Sequence, residues 1–238
     1  MKIALFSDIH GNMHALEAVL EEIDRERADR VYCLGDLVGY GAYPNEVIEL
    51  IRSRDIPTIM GNYDDGVGFD KDDCGCAYKG AEMRRLGDLS LQWSKEQVTS
   101  ENKEFLRSLH SQIRFPAEGK RVFLVHGSPR KINEYLFEDR PLFSLERIAR
   151  ESEADLLAFG HTHLPYEKDV LGVRFINDGS VGKPKDGNPR AGYALVEIGD
   201  RIEVTFRRVP YDVDAAAAAV RASSLPAQFA DMLESATG

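Results

Sequence analysis

Short apolar runs alternate with amphipathic stretches over the first 60 residues of the chain. The apolar run within residues 2–7 has no polar alternation, and this predicts a strand that is covered on both faces. Apolar residues then recur at helical spacing and predict a helix over residues 13–26. The same rhythm predicts strands at 30–34 and 57–60, with a helix over about 44–54 between them.

The strand rhythm stops between residues 65 and 115, where the chain is polar and its leucines fall at helical spacing. This segment, about 65–115, predicts an inserted helical cap. Strands at 121–125 and 155–159, with a helix over 142–152 between them, restore the alternation.

Beyond residue 160 the apolar runs are short and separated by glycine, at 173–176, 193–198 and 202–206. Gly199 and Asp200 suit a hairpin turn, so we expect the last two runs to pair as antiparallel strands. The alanine-rich segment 214–235 predicts a helix that is broken near Pro226. Together these elements predict an α/β fold with flanking helices, antiparallel strands near the end of the chain and a helical cap.

Composition narrows the class of protein. At 238 residues and 43% hydrophobic content the chain can bury a full core, and we expect one domain spanning residues 1–238. A formal net charge of −10 disfavours an extended nucleic-acid surface and binding to anionic membranes, because both need basic surfaces. Three cysteines do not form a disulfide framework, and the first apolar run is too short for a signal sequence or membrane span. We expect a cytoplasmic protein.

Side chains that commonly bind metals follow five of the predicted strands. They are Asp8, His10, Asp36, Asn62, His126, His161 and His163. Asp and Asn at single positions are equally typical of helix and turn caps, so only the whole set points to a metal site. Carboxyl ends of strands form the usual binding edge of an α/β sheet, and we expect these side chains to converge there. Seven ligands suit two divalent ions sharing one carboxylate, and their chemistry suits Mn, Fe, Co, Ni or Zn.

Five motifs carry these ligands in the order Asp8-Ile9-His10, Gly35-Asp36-Leu37-Val38-Gly39, Gly61-Asn62-Tyr63-Asp64, His126-Gly127 and Gly160-His161-Thr162-His163. The series resembles the calcineurin-like metallophosphoesterase superfamily, and within it the small bacterial and archaeal phosphodiesterase-like branch. The resemblance implies a mixed α/β (α+β) fold, a two-sheet metallophosphoesterase sandwich flanked by helices. It implies one metal ion held by Asp8, His10, Asp36 and His163. It implies a second ion held by Asp36, Asn62, His126 and His161, with Asp36 bridging.

The resemblance also implies an activity. The expected protein is a metal-dependent phosphoesterase that hydrolyses phosphodiester or phosphomonoester bonds by attack of a metal-bridging hydroxide. Its expected cofactors are two divalent transition-metal ions, manganese among them, and its expected substrate is a small-molecule or nucleotide phosphoester. Two alternatives stay open. One is a protein phosphatase or dinucleoside-polyphosphate hydrolase, and the other is a non-catalytic interaction module on the same fold.

One position departs from the family pattern. Tyr63 stands where the family carries a histidine that assists the leaving group. A tyrosine, with an ordinary pKa of about 10, donates a proton less readily at neutral pH than an imidazolium does. We therefore expect faster hydrolysis of activated aryl or nucleotide esters than of alkyl monoesters. His14, one helical turn after His10, is either a substitute for the missing imidazole or an exposed first-turn histidine.

Several further residues are candidates for catalysis or substrate binding. Asp36, Asn62 and Asp64, all within the matching motifs, join Tyr63 and His14 as candidate catalytic residues. Arg130 follows the His126 motif and is a candidate phosphate contact. Lys183 and Lys185 follow Gly179-Ser180-Val181-Gly182, and for Lys185 we favour a solvated surface position. Cys74 and Cys76 have no matching pair elsewhere and are interpreted as free thiols of the cap.

Overall fold

A computed structural model describes all residues 1–238, in nine strands and eight helices. The strands are β1 (Lys2–Phe6), β2 (Arg30–Cys33), β3 (Ile113–Ala117), β4 (Lys120–Leu124), β5 (Leu156–Phe159), β6 (Tyr166–Val170), β7 (Val173–Asn177), β8 (Ala191–Ile198) and β9 (Ile202–Val209). The helices are α1 (Met13–Glu26), α2 (Pro44–Ser53), α3 (Asn62–Gly68), α4 (Ala81–Gln97), α5 (Ser100–Ser108), α6 (Leu142–Ser152), α7 (Val213–Ala222) and α8 (Gln228–Ser235).

The strands form two sheets, as predicted. One sheet has four strands in the order β2-β1-β8-β9, and the other has five in the order β3-β4-β5-β7-β6. β1 pairs with β2 in parallel and with β8 in antiparallel fashion, while β4, β5 and β7 run parallel to one another. The predicted hairpin between β8 and β9 is confirmed, with Ile198 paired to Ile202 across the turn.

The apolar run of β1 is buried on both faces because the other sheet covers one face and helices cover the other. Ile3 and Leu5 pack into a cluster between the two sheets, together with Leu124 of β4 and Ala158 of β5. Phe6 points the other way, into a cluster formed with the helices. Alternate residues of one strand thus contribute to two cores, which explains why its sequence shows no polar alternation.

Helices cover the outer face of each sheet. α1 and α2 pack on the four-stranded sheet, whereas α6 packs on the five-stranded sheet. The cap consists of α3, α4 and α5, and its residues Val67, Leu91 and Leu106 lie in the same apolar cluster as Leu16 of α1. We therefore propose that the cap and the sheets form one domain.

The structure differs from the predictions at several elements. Residues 57–60 form only isolated bridges, from Thr58 to Cys33 and from Ile59 to His110, instead of a full strand. The pattern did not predict β3 and β6, which are edge strands of the five-stranded sheet. β3 contains Pro116 and β6 contains three consecutive charged residues, and such residues are tolerated at sheet edges. The break near Pro226 separates α7 from α8, as predicted.

Candidate metal centre

The seven predicted ligand residues meet where strand ends of the two sheets adjoin. Asp8 and His10 follow β1 and Asp36 follows β2, while His126 follows β4 and both His161 and His163 follow β5; Asn62 begins α3. Each of the seven is at most 3% exposed. Asp8, His10, Asp36, His161 and His163 all adopt a left-handed backbone, with φ between 50° and 65°. Non-glycine residues rarely adopt this conformation, and such strain is concentrated at functional sites.

The first group of possible ligands consists of Asp8, His10 and His163. Asp8 Oδ1 lies 3.2 Å from His163 Nε2 and 3.7 Å from His10 Nε2. The two imidazole Nε2 atoms are 3.3 Å apart. The other carboxylate oxygen of Asp8 is held in place by the Ser7 hydroxyl, which donates at 2.6 Å, and by the His161 amide, which donates at 2.9 Å.

The second group consists of Asp36, His126 and His161, with Asn62 beside it. His126 Nε2 lies 3.4 Å from Asp36 Oδ2 and 3.1 Å from Asn62 Oδ1. Asp36 Oδ2 is also 3.8 Å from His10 Nε2 in the first group. Its other oxygen accepts a hydrogen bond from the Tyr63 amide at 2.8 Å. One carboxylate oxygen of Asp36 therefore lies between the two groups.

Backbone carbonyls fix the orientation of three imidazoles. Nδ1 of His10 contacts Val38 O at 2.9 Å, Nδ1 of His126 contacts Leu34 O at 2.8 Å, and Nδ1 of His163 contacts Lys183 O at 2.5 Å. A carbonyl only accepts, so Nδ1 carries the proton in each ring. Nε2 of a neutral ring then presents a lone pair to the centre of the site, which is the arrangement that metal-binding histidines adopt.

Electrostatics favour a cation among these atoms. Burial lowers the pKa of His161 to about 3 and that of His163 to about 3, so both rings are neutral at neutral pH. Burial raises the pKa of Asp8, but the neighbouring imidazoles of His163, His126 and His10 together outweigh this and hold the pKa well below its ordinary value. Burial likewise lowers the pKa of His126, but the Asp36 carboxylate raises it to about 10. A cation at His126 must therefore displace a proton.

Two buried atoms test whether these residues fit metal ions. Asp8 Oδ1 and His161 Nε2 have no hydrogen-bond partner although they are shielded from solvent. A buried acceptor without a hydrogen-bond partner lowers the stability of the fold. Each of these two atoms lies among the other possible ligand atoms of its own group. A divalent cation in each group would satisfy these atoms and cancel the repulsion among the lone pairs. The residues therefore fit two metal ions.

A cavity of about 270 Å³ opens onto both groups. Its wall includes the rings of Tyr40, Tyr78, Tyr135 and Phe137 and three lysines, Lys79, Lys183 and Lys185. Lys183 is 3% exposed, and its ammonium group lies 4.9 Å from the centre of the Tyr40 ring. The predicted solvated position of Lys185 is wrong, because this half-buried side chain also lines the cavity. Tyr78, Tyr135 and Phe137 belong to no motif, so the sequence did not predict their position at the cavity.

Tyr63 lies in this cavity, as expected from its motif. It is 1% exposed, and its ring centre is 5.4 Å from that of His10. Its hydroxyl lies 2.8 Å from the Tyr78 hydroxyl. Burial raises the pKa of Tyr63 well above its ordinary value, so the phenol stays protonated and is a poor acid.

Asp64 does not reach the cavity. One of its oxygens accepts from the amides of Asp36 and Gly61, at 2.8 and 2.9 Å, and the other accepts from the Leu37 amide at 2.8 Å. The carboxylate thus ties the loop after β2 to the start of α3. The expectation that Asp64 takes part in catalysis needs correction, because both oxygens are engaged by backbone amides. Asp64 positions Asp36 instead.

His14 and Arg130 also lie outside the cavity. The ring of His14 packs against Tyr43, with centres 5.7 Å apart. The guanidinium of Arg130 pairs with Glu134 on the surface, with Nε 3.0 Å from Oε2. Neither residue lines the cavity, so the expected roles of His14 as an acid and of Arg130 as a phosphate contact are not supported by their positions.

Two glycines allow the ligand loops to pack closely. A Cβ on Gly61 would overlap Asp36 Oδ1 and the Asp36 amide nitrogen. A Cβ on Gly160 would lie 2.6 Å from Asp8 Oδ2. Glycine is therefore required where each loop passes the carboxylate of another.

Two packed sheets with a buried Asp, Asn and His cluster between their strand ends define a metallophosphoesterase fold. A sequence model of the calcineurin-like phosphoesterase superfamily domain matches residues 1–201. The chain belongs to this family, which confirms the resemblance found in its motifs.

Relatives cover nearly the whole chain. A metallophosphoesterase from Sphaerobacter thermophilus superposes with a TM-score of 0.79 at 31% identity, over 100% of this chain and 99% of that one. An uncharacterized Methanocaldococcus jannaschii protein, MJ0912, is 34% identical over 97% of this chain and 96% of its own length. Phosphodiesterase YfcE of Escherichia coli is 27% identical over 83% of this chain and 88% of its own length. No helix in the structure is long and apolar enough to cross a membrane.

Proposed function

We propose that this protein is a phosphoesterase that uses two divalent metal ions to hydrolyse phosphodiester or phosphomonoester bonds. One ion would be held by Asp8, His10, Asp36 and His163. The other would be held by Asp36, Asn62, His126 and His161. The observation that carries the proposal is the position of Asp36 Oδ2 between two groups whose lone pairs face one another.

Two such ions would act as Lewis acids on the phosphoryl oxygens and would activate a water molecule for attack on phosphorus. The chain's own residues have other tasks. Lys183 and Lys185 place amino groups on the cavity wall, where they would donate hydrogen bonds to the anionic ester. Burial lowers the pKa of both groups, and a bound anion would favour their protonated form. Phe137, which is 41% exposed and stacked on Tyr135, offers an aromatic face on the cavity wall for an aryl group or a nucleobase. These features support a small aryl or nucleotide ester as the substrate.

The leaving group receives little help from protein acids. Tyr63 stays protonated and its hydroxyl is paired with Tyr78. His14 is packed on Tyr43 outside the cavity. We therefore propose that the rate rises as the leaving group becomes more acidic. Similar rates for alkyl and aryl esters across a graded series would contradict this.

The relationship to phosphodiesterase YfcE makes diesters the first substrates to test. Purified protein is assayed on bis-p-nitrophenyl phosphate, p-nitrophenyl phosphate and a dinucleotide, with Mn²⁺, Ni²⁺ or Zn²⁺ and with chelator as control. Metal content is measured in parallel for the native chain and for Asp36→Ala, which removes the carboxylate shared by both groups. We expect about two metal ions per chain in the native protein and hydrolysis that chelator abolishes. The Asp36→Ala variant should lose both the bound metal and the hydrolytic activity. A native protein that binds no metal would instead support the non-catalytic interaction module.

A further inference from the structure

Two cysteines of the cap lie against each other beside the candidate metal centre. The sulfur atoms of Cys74 and Cys76 are 3.0 Å apart. Both residues are buried, at 8% and 9% exposure, and neither is part of a disulfide. Cys33, the third cysteine, lies in the strand β2 and packs in the core.

The turn that holds the two sulfurs together is fixed from both sides. Gly75 has φ of +73°, which a side chain would strain. Its amide donates to Asp73 Oδ1 at 2.5 Å, and its carbonyl accepts from the Asn133 side chain at 2.8 Å. A Cβ on Gly75 would overlap the Asn133 amide nitrogen. The turn is therefore built to keep these two thiols adjacent.

The same turn orients Asn62. The side-chain amide nitrogen of Asn62 donates to Cys74 O at 3.2 Å and to Cys76 Sγ at 3.1 Å. Its oxygen is consequently turned toward His126, 3.1 Å from Nε2. Cys76 also lines the cavity, which gives a small solute a route to this residue.

We propose that Cys74 and Cys76 form a redox-active dithiol that a peroxide entering the cavity oxidises to a disulfide. The sulfur of one thiol attacks a peroxide oxygen and breaks the O–O bond, which leaves a sulfenic acid and one water. The second thiol attacks the sulfenic sulfur, breaks its S–O bond and releases a second water as the S–S bond forms. The peroxide is reduced and two thiols are oxidised, with both thiol protons leaving in water. Bond formation requires the sulfurs to approach by about 1 Å.

Oxidation changes the support of Asn62. The moving Cys76 sulfur withdraws one of the two acceptors that fix the Asn62 amide. Loss of such an outer contact typically weakens metal binding by about tenfold or more. This second step rests on the proposed function, whereas formation of the disulfide does not. Cys74 and Cys76 are thus positioning residues. Their oxidation state would set the affinity for metal of the group of ligands that contains Asn62.

The disulfide is detected by mass. The full chain is treated with hydrogen peroxide, the remaining thiols are alkylated, and the protein is digested with trypsin. The peptide 72–79, bounded by Lys71 and Lys79, contains both cysteines. We expect it to lose two hydrogen atoms and to escape alkylation, and dithiothreitol should reverse both changes. Cys33→Ala should respond like the native chain, whereas Cys74→Ser should not form the link.

Calorimetric titration with Mn²⁺ tests the second step on the same samples. The oxidised chain should bind Mn²⁺ at one site about tenfold more weakly, with recovery after reduction. Peptide 72–79 that stays reduced, or that gains oxygen without losing hydrogen, would overturn the dithiol. A disulfide with unchanged Mn²⁺ affinity would overturn the coupling to Asn62. A reduced chain that binds no Mn²⁺ would contradict the proposed function alone, because the mass measurement stands without it.

Discussion

Replacing Gly61 with alanine tests whether Asp36 is the shared carboxylate of the site. The new Cβ would overlap Asp36 Oδ1 and the Asp36 amide nitrogen, while φ of −86° at Gly61 suits alanine. The substitution therefore adds crowding without backbone strain. Restoring van der Waals distance requires the carboxylate or the loop to move by about 1 Å. Overpacking of this kind costs about 1–3 kcal/mol of folding free energy, and a 1 Å misplacement at a reacting centre costs about 100-fold in rate.

The assay compares Gly61→Ala with Gly199→Ala, a control in the turn between β8 and β9 where a Cβ would meet no atom within 4 Å. We measure bound metal, kcat/KM for bis-p-nitrophenyl phosphate and the thermal midpoint of each. Gly61→Ala should lose about 100-fold in kcat/KM and bind metal more weakly, whereas Gly199→Ala should match the native chain. Native metal content and native kcat/KM in Gly61→Ala would refute the placement of Asp36 between the two ions.

Three further substitutions separate positioning, surface and substrate-binding roles. Asp64→Asn leaves at least one buried amide without an acceptor. This should lower the free energy of unfolding by about 1–3 kcal/mol and Tm by several degrees. An unchanged Tm with a large loss of kcat would instead indicate a direct role in catalysis. Arg130→Ala removes only the surface pair with Glu134, so kcat/KM should stay unchanged and stability should fall by less than about 1 kcal/mol; a raised KM would restore its predicted phosphate role. Lys183→Met should raise KM for phosphoesters by about tenfold with metal content unchanged, and an unaltered KM would remove Lys183 from the binding site.

The sequence could predict the candidate metal centre because six of its seven candidate ligands follow strands, Asn62 being the exception. Strand ends are local features, and the apolar run before Asp8 or His126 shows where each strand ends. The order of the five motifs then indicated that residues far apart in the sequence share one site, which hydrophobic periodicity alone cannot show. The resemblance that the motifs carry implied the two-sheet architecture, and the Gly199-Asp200 turn between two apolar runs predicted the β8–β9 hairpin.

Other features depend on packing between distant segments. Asp64 sits in a metal-site motif, yet its oxygens serve amides of the loop after β2. Tyr78 and Tyr135 reach the cavity from loops that carry no motif. Lys185 resembles any surface lysine in sequence, and only the folded chain places it at the cavity. The sequence could not predict the positions of these residues, because the residues next to them in the chain do not indicate which distant segment they contact.

The division of the ligands between two sheets makes metal uptake a late event in assembly. β1 and β2 present Asp8, His10 and Asp36, and the opposite sheet presents the other histidines. Neither sheet alone holds a complete group, since Asp8 meets His163 and Asp36 meets His126 only when the two sheets are packed. A chain with only one sheet formed would therefore lack a specific metal site. Bound metal would link the two sheets, because its ligands come from both. We expect the cell to load this protein after folding, and metal to slow the separation of its two halves.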